Sequence, residues 1–354
     1  MTKANLPTNG CDDLANLLDL DPNRLTQLAG EAVNLYERFP LKTRRRRPRW
    51  IEAPKPFLKL VQRRLLDRLL YATPPHSAAH GFYPELSILT NARIHVGSAW
   101  VVSYDLEDFF PTTDLDKVRS VLNKRYDVEE GVLESIIRLT CRNGNLPQGA
   151  PTSPHLANLA FYQGDELLSE LAKQHDLGYT RYADDMTFSG KELPAELDDE
   201  VRQIVHRVGY RLAEKKTKRM GRHQCQKVTG LVVNEGVRLP RKQRRRLRAI
   251  RNDIAMMGME SALARSGYGS VCQLQGHLAF ERMTNKSNGV SRGLQNLRPK
   301  NALAGQPPVE PEDKDGGLPP PSCPSVRRRQ SADHGGTPQQ MPDSELESTV
   351  QTVG

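Results

Sequence analysis

Apolar residues recur at helical spacing over residues 56–70, where Phe57, Leu58, Leu60, Val61, Leu65, Leu66 and Leu69 form one face. The same period predicts helices over 115–122, 128–139, 155–171 and 196–208. Two short helical patterns, around Cys11–Leu20 and Arg24–Ala29, carry Asp and Asn at capping positions and predict a small helical leader. Strand patterns fall between these stretches. Residues 39–54 read as a basic hairpin, and Trp100-Val-Val-Ser-Tyr104 is an apolar strand running into Asp105. In residues 179–188, Tyr182, Met186 and Phe188 fall on one parity and Arg181 and Thr187 on the other, which predicts a half-buried hairpin turning near Ala183. Residues 228–233 predict a strand, 234–236 a turn and Val237 the start of a return strand. A basic helix with Pro240 in its first turn follows, and 271–283 is a last amphipathic candidate. Beyond about Asn285 aromatics vanish and Pro, Gly, Ser and Gln dominate, so the tail is expected to be disordered.

One stretch conflicts with its own local propensity. Asp184 and Asp185 sit side by side in the 179–188 hairpin, although Asp is depleted in strands and adjacent carboxylates repel. Such conflicts are expected at functional sites, and a divalent cation would turn the repulsion into attraction. Asp105 supplies a third acid at a strand end. Between the two strands lies the Gly/Pro-rich loop Asn145-Leu-Pro-Gln148-Gly149-Ala-Pro-Thr-Ser-Pro154, entering a helix.

Charge and composition narrow the classes. The 354 residues are 37% hydrophobic with net charge +9, mean hydropathy −0.61 and pI about 9.3. No apolar run approaches a membrane span, and the first residues lack a secretory pattern, so a cytoplasmic protein is expected. Basic residues concentrate at 42–49, 215–222 and 238–251, around the carboxylates, as a track for phosphates would require. Cys11, Cys141, Cys225, Cys272 and Cys323 are scattered without zinc or disulfide spacing and read as structural thiols. His76, His80 and His95 likewise lack the partners of a metal site and read as structural.

Taken in order, the acidic strand ends and the loop resemble the palm of a reverse transcriptase. The resembling motifs are Asp105-Leu-Glu-Asp108-Phe-Phe110, the 146–154 loop and Tyr182-Ala-Asp184-Asp185. The resemblance implies an α+β right-hand polymerase fold. Its parts would be a helical leader (1–40), fingers (41–100), a palm with a split β-α-β sheet (101–236, with 114–147 partly fingers), a short helical thumb (237–285) and a disordered tail (286–354). It implies two Mg²⁺ ions on Asp105, Asp184 and Asp185, with Asp105 and Asp184 as ligands to both and Asp185 mainly setting the field. Lys216 matches the lysine near the leaving pyrophosphate, and Arg49 a fingers arginine on the triphosphate. Phe110 matches the residue that crowds a ribose 2′-hydroxyl. Asp108, Gln148 and Gly149 belong to the nucleotide-facing motifs.

Asn91-Ala-x-x-His95 and Val228-Thr229-Gly230 are similar to two hallmarks of retron reverse transcriptases. They imply binding of a cognate structured non-coding RNA, a part of which is copied with dNTPs into branched RNA–DNA, in anti-phage defence beside an accessory effector. Arg241, Arg244, Arg245 and Arg248 are expected on the backbone of the RNA–DNA hybrid. No second acidic cluster, His/Asn nuclease set or zinc finger accompanies these motifs, so a stand-alone polymerase is expected. The competing readings are a group II intron-like or other bacterial defence reverse transcriptase, and a non-catalytic RNA-binding protein on the same scaffold. Three unpaired acids beside phosphates argue against the last.

Overall fold

A computed structural model describes residues 10–41 and 49–295, the last ten by backbone alone. The leader forms α1 (Cys11–Leu17) and α2 (Pro22–Glu31), the latter capped by the Asp21 side chain, which accepts from Arg24 N at 2.9 Å. The basic hairpin is β1 (Tyr36–Leu41) and β2 (Arg49–Pro54), antiparallel from Tyr36↔Pro54 to Leu41↔Arg49, with its tip outside the described residues. Helix α3 (Pro56–Arg68) buries Leu58, Val61, Leu65 and Leu66 of the predicted face, whereas Phe57 and Leu60, also expected there, are exposed. Helix α4 (Ile88–Ile94) starts at a reciprocal cap between Ser87 and Thr90.

Next come β3 (Trp100–Asp105), α5 (Phe109–Thr112), α6 (Leu115–Arg125), α7 (Glu130–Thr140), α8 (Ser153–Ala160), α9 (Tyr162–Gln174), β4 (Gly178–Tyr182), β5 (Asp185–Gly190), α10 (Leu197–Arg207) and β6 (Lys218–Gly221). The predicted single helix over 155–171 is two, broken at Phe161, whose ring tucks beneath Gly164. A Cβ there would meet the ring at 2.7 Å. The strands form one antiparallel sheet in the order β4-β5-β3-β6. Residues 218–221, which read only as basic, supply its edge strand.

The sheet is buried on both faces rather than one. Val102, Tyr104, Met186 and Phe188 join a core with α3 and α6–α10, while Val101 joins a second core with α4 and the elements after β6. The side-chain parity expected for the 179–188 hairpin needs correction. A two-residue turn pairs Tyr182 with Asp185 and Arg181 with Met186, so parity inverts across it. Arg181 therefore shares the face of Met186 and Phe188.

The chain continues through β7 (Lys227–Val228), β8 (Leu231–Val232), α11 (Arg241–Ser266) and α12 (Val271–Gln295). The tight turn here is Thr229-Gly230, with φ of +47° and +83°, earlier than predicted. The reversal expected at 234–236 also forms, but its return is one bridge, Val232 to Arg238. Pro240 precedes α11 rather than opening its first turn, and α11 is bent at Gly258, where φ is 83° and ψ 169°. Helix α12 continues to Gln295, past the expected start of the tail. The rest of that tail, residues 296–354, lies outside the described residues. Among the described residues no helix is long and apolar enough to cross a membrane.

Candidate active site

Strand β3 ends beside the β4–β5 turn, with Asp105 opposite Asp185 and the Leu106 amide donating to Asp184 O at 2.9 Å. The three acids are thus strand-end neighbours at one end of the central β5–β3 pair of a packed sheet. Crowding shows in the proton affinities of Asp184 and Asp185. Burial, then the charge of Asp105, raises the Asp184 carboxyl above its ordinary range. Burial followed by Asp105 and Asp184 pushes Asp185 up to about 7, against the opposing charges of Lys218 and Lys216. The Lys216 ammonium donates to Asp105 Oδ1, so a cation already meets this acid. Arg49 also lowers the Asp184 value, which brings β2 within electrostatic reach of the turn.

As they stand, no three His, Cys, Asp or Glu side chains among the described residues converge closely enough to form a metal cage. The donor chemistry nevertheless fits a hard divalent cation. Mg²⁺ takes a few carboxylate oxygens and completes its shell with water and phosphate, and each positive charge supplied here relieves a repulsion already present.

Gln148 and Gly149 lie against β2. The Glu52 amide donates to Gln148 O at 2.9 Å. The Gln148 amide, oriented to satisfy both ends, donates to Trp50 O and accepts from Arg49 Nε, each at 3.3 Å. Gly149 has φ of +138°, and a Cβ there would lie 2.8 Å from Glu52 O, so only glycine allows this approach. Arg49, Gln148 and Gly149 are therefore one assembly. Phe110 is half-buried, its ring 5.6 Å from that of core Phe109. Asp108 departs from expectation. It sits at φ +44° and is exposed on a cleft of about 650 Å³ shared with Glu107, His206 and Arg211, a cleft that none of the three acids lines.

The residues expected to touch RNA divide. Asn91 and His95 are fully buried and offer no surface to a nucleic acid, which corrects their assignment. His95 is held between Ser189 Oγ (2.8 Å) and Thr180 Oγ1 (2.7 Å), and burial pushes it down to about 3, so it is neutral. Val228 is buried as well, and Thr229 Oγ1 donates to Ile88 O at 3.3 Å, leaving Gly230 as the exposed member of its triplet. The two hallmark motifs thus meet each other, α4 against the β7–β8 turn. Arg241, Arg244, Arg245 and Arg248 share one face of α11 and line a hollow of about 210 Å³.

Sequence reasoning missed a network beneath the turn. Arg181, fully buried, donates from Nε and Nη2 to Asp165 at 2.8 and 2.5 Å, and from Nη1 to Asn158 Oδ1 and Ala183 O, both at 2.9 Å. Tyr179 OH donates to Asp165 at 2.8 Å. An Arg in a strand otherwise made of core residues was the available signal.

Comparison with known proteins identifies the family. The reverse transcriptase (RNA-dependent DNA polymerase) family profile matches residues 41–233. The retron Mx162 reverse transcriptase of Myxococcus xanthus is 33% identical over 321 residues, which is 79% of this chain and 65% of that protein. The retron Mx65 reverse transcriptase of the same organism is 36% identical over 279 residues (72% and 62%), and the retron Ec86 reverse transcriptase of Escherichia coli 36% over 211 residues (58% and 64%). The chain spans somewhat under two thirds of these relatives' lengths. With over half of its sequence matched by the family profile, the chain belongs to the reverse transcriptase family.

Proposed function

We propose that this chain is an RNA-directed DNA polymerase of retron type, with the β1–β2 region as fingers, the four-stranded sheet as palm and α11–α12 as thumb. The observation that supports it most is the placement of Asp105, Asp184 and Asp185 at neighbouring strand ends of the central β5–β3 pair, beside Lys216 and within electrostatic reach of Arg49. Bound at Asp105 and Asp184, two Mg²⁺ ions would supply charge neutralisation for in-line attack of a primer hydroxyl on an α-phosphate. The chain's own groups do the remaining work. Arg49 grips the triphosphate, while Gln148 and Gly149 form the surface against the nascent base pair. Phe110 excludes a ribose 2′-hydroxyl by bulk. Lys216 leaves Asp105 to meet the negative charge of the departing pyrophosphate. The arginines of α11 follow the backbone of an RNA–DNA hybrid.

In this reading the template is a cognate structured non-coding RNA, and the product is branched RNA–DNA made in the cytoplasm. Anti-phage defence with an accessory effector is the role proposed for it. The test is primer extension on an RNA template with dNTPs and Mg²⁺, followed by sequencing of nucleic acid that co-purifies with the protein. Asp184→Asn or Asp105→Asn should abolish extension and leave RNA binding within a few-fold, because a lost ligand acts on the transition state more than on ground-state binding. Extension by either variant at the wild-type rate would overturn the assignment.

A further inference from the structure

The turn that carries Asp184 and Asp185 passes through Ala183 at φ +57°, a left-handed conformation that is unfavourable for any residue with a Cβ. Something must hold it. The side chain that does so is Arg181, whose Nη1 donates to Ala183 O at 2.9 Å. The same nitrogen donates to Asn158 Oδ1, and Asn158 Nδ2 donates to Gly81 O at 2.7 Å. Gly81 in turn lies so close that a Cβ there would be 3.2 Å from Ala183 N. The other edge of the guanidinium is locked by Asp165 on α9, and its face lies 4.9 Å from the Phe161 ring. The backbone of Arg181 is bound too, its amide to Ala78 O at 2.7 Å and its carbonyl by the His80 amide at 2.8 Å.

This network reaches the other half of the site. Asn158 lies on α8, and the first residue of α8, Ser153, donates its hydroxyl to Pro147 O at 2.8 Å, next to Gln148 and Gly149. A continuous buried path therefore runs from the nucleotide-facing loop through Ser153, α8, Asn158 and Arg181 to the Asp184–Asp185 turn. We propose that Arg181 is a positioning residue, registering the aspartate turn against the Gln148–Gly149 loop. The inference rests on the polymerase reading above.

A buried ion pair is weak support for stability, since well-packed apolar residues of similar volume often do as well. An apolar pair cannot donate to Ala183 O, however, and that separates positioning from packing. Arg181→Met alone strands the Asp165 charge and is expected to unfold readily. Arg181→Met combined with Asp165→Leu and Tyr179→Phe, the last removing the buried hydroxyl that otherwise donates to Asp165, should recover most of the wild-type melting temperature. Its extension kcat should nevertheless fall at least tenfold, and the Mg²⁺ concentration for half-maximal rate should rise several-fold. Arg181→Lys, which keeps charge for Asp165 but lacks the planar fork, should show the same split more mildly.

An activity-free readout accompanies these. The Leu106 amide, bonded to Asp184 O, should be strongly protected from hydrogen exchange in the wild type and exchange faster in both variants. Wild-type kcat and Mg²⁺ demand in either folded variant would overturn the proposal, as would an unprotected Leu106 amide in the wild type. Failure of the wild type itself to extend any primer would overturn the polymerase reading instead, with the exchange data still testing whether Arg181 holds the turn.

Discussion

Replacing Asp185 by Asn tests the electrostatics of the site without any substrate. Burial and the charges of Asp105 and Asp184 raise the Asp185 carboxyl from 3.8 to about 7. A group whose folded value lies above its unfolded one binds its proton more tightly in the native state. Its contribution is therefore fully present below about pH 4 and is lost as pH rises through 7. A shift of about 3 units at about 1.4 kcal/mol each gives about 4 kcal/mol of destabilisation at pH 8 as an upper figure for the metal-free protein. Asn keeps the shape and cannot ionise. Asp185→Asn should thus raise the melting temperature in chelator at pH 8, by roughly 1–2 °C per kcal/mol recovered, since the unfolding entropy grows with chain length. The gain should shrink towards pH 4.5. Thermal melts of both proteins from pH 4.5 to 8.5, with chelator and then with Mg²⁺, are the assay. Parallel curves in chelator would refute the argument, because they would mean that Asp185 is either solvated or already neutralised by the lysines.

Three further outcomes follow from the geometry. Phe110→Ala should relax the preference for dNTPs over rNTPs, measured as the ratio of incorporation efficiencies; an unchanged ratio would assign the exclusion to another side chain. Gly149→Ala should destabilise the protein by about 2 kcal/mol or more, since the new Cβ meets Glu52 O at 2.8 Å in a backbone conformation strained for alanine. A melting temperature within a degree of wild type would show that the loop and β2 are not in fixed contact. Charge reversal at Arg245 and Arg248 should weaken RNA binding regardless of sequence and reduce the log–log salt slope by roughly one unit per lost phosphate contact. An unchanged slope would leave that face to solvent.

What could be read from residue order was the part governed by local pattern and chemical conflict. The α3 face, the run into Asp105 and the paired acids at a strand turn all follow from periodicity and from acids placed where strands disfavour them. The misreadings share a different cause. Parity counted along the chain puts Arg181 on the wrong face because pairing across a two-residue turn inverts it, and no single strand reveals its partner's register. Lys218–Gly221 looked like a phosphate patch because its partner, β3, lies far back in the chain. Asn91 and His95, polar and set in a motif, looked like contacts for RNA. Their burial depends on α4, β5 and β8 meeting in space, which composition does not encode. Asp108 sits in the same short run as Asp105 but follows the chain around a left-handed turn into a separate cleft.

The seam between α4 and the β7–β8 turn has a practical consequence for anyone recombining such proteins. Leu89 and Ala92 of α4 share one core with Val228, Leu231, Val233, Leu247, Ile250 and Leu274, and the Gly97 amide donates to Val233 O at 3.0 Å. The basic helix is thus seated on a segment that precedes the four-stranded sheet in the chain. A chimera cut cleanly at residue 237, where sequence alone divides palm from thumb, would separate the two halves of this joint and leave mismatched interior surfaces on both. A transplant that carries residues 88–97 along with everything from 226 onward keeps the joint intact, and with it the aim of the arginine face relative to the three acids.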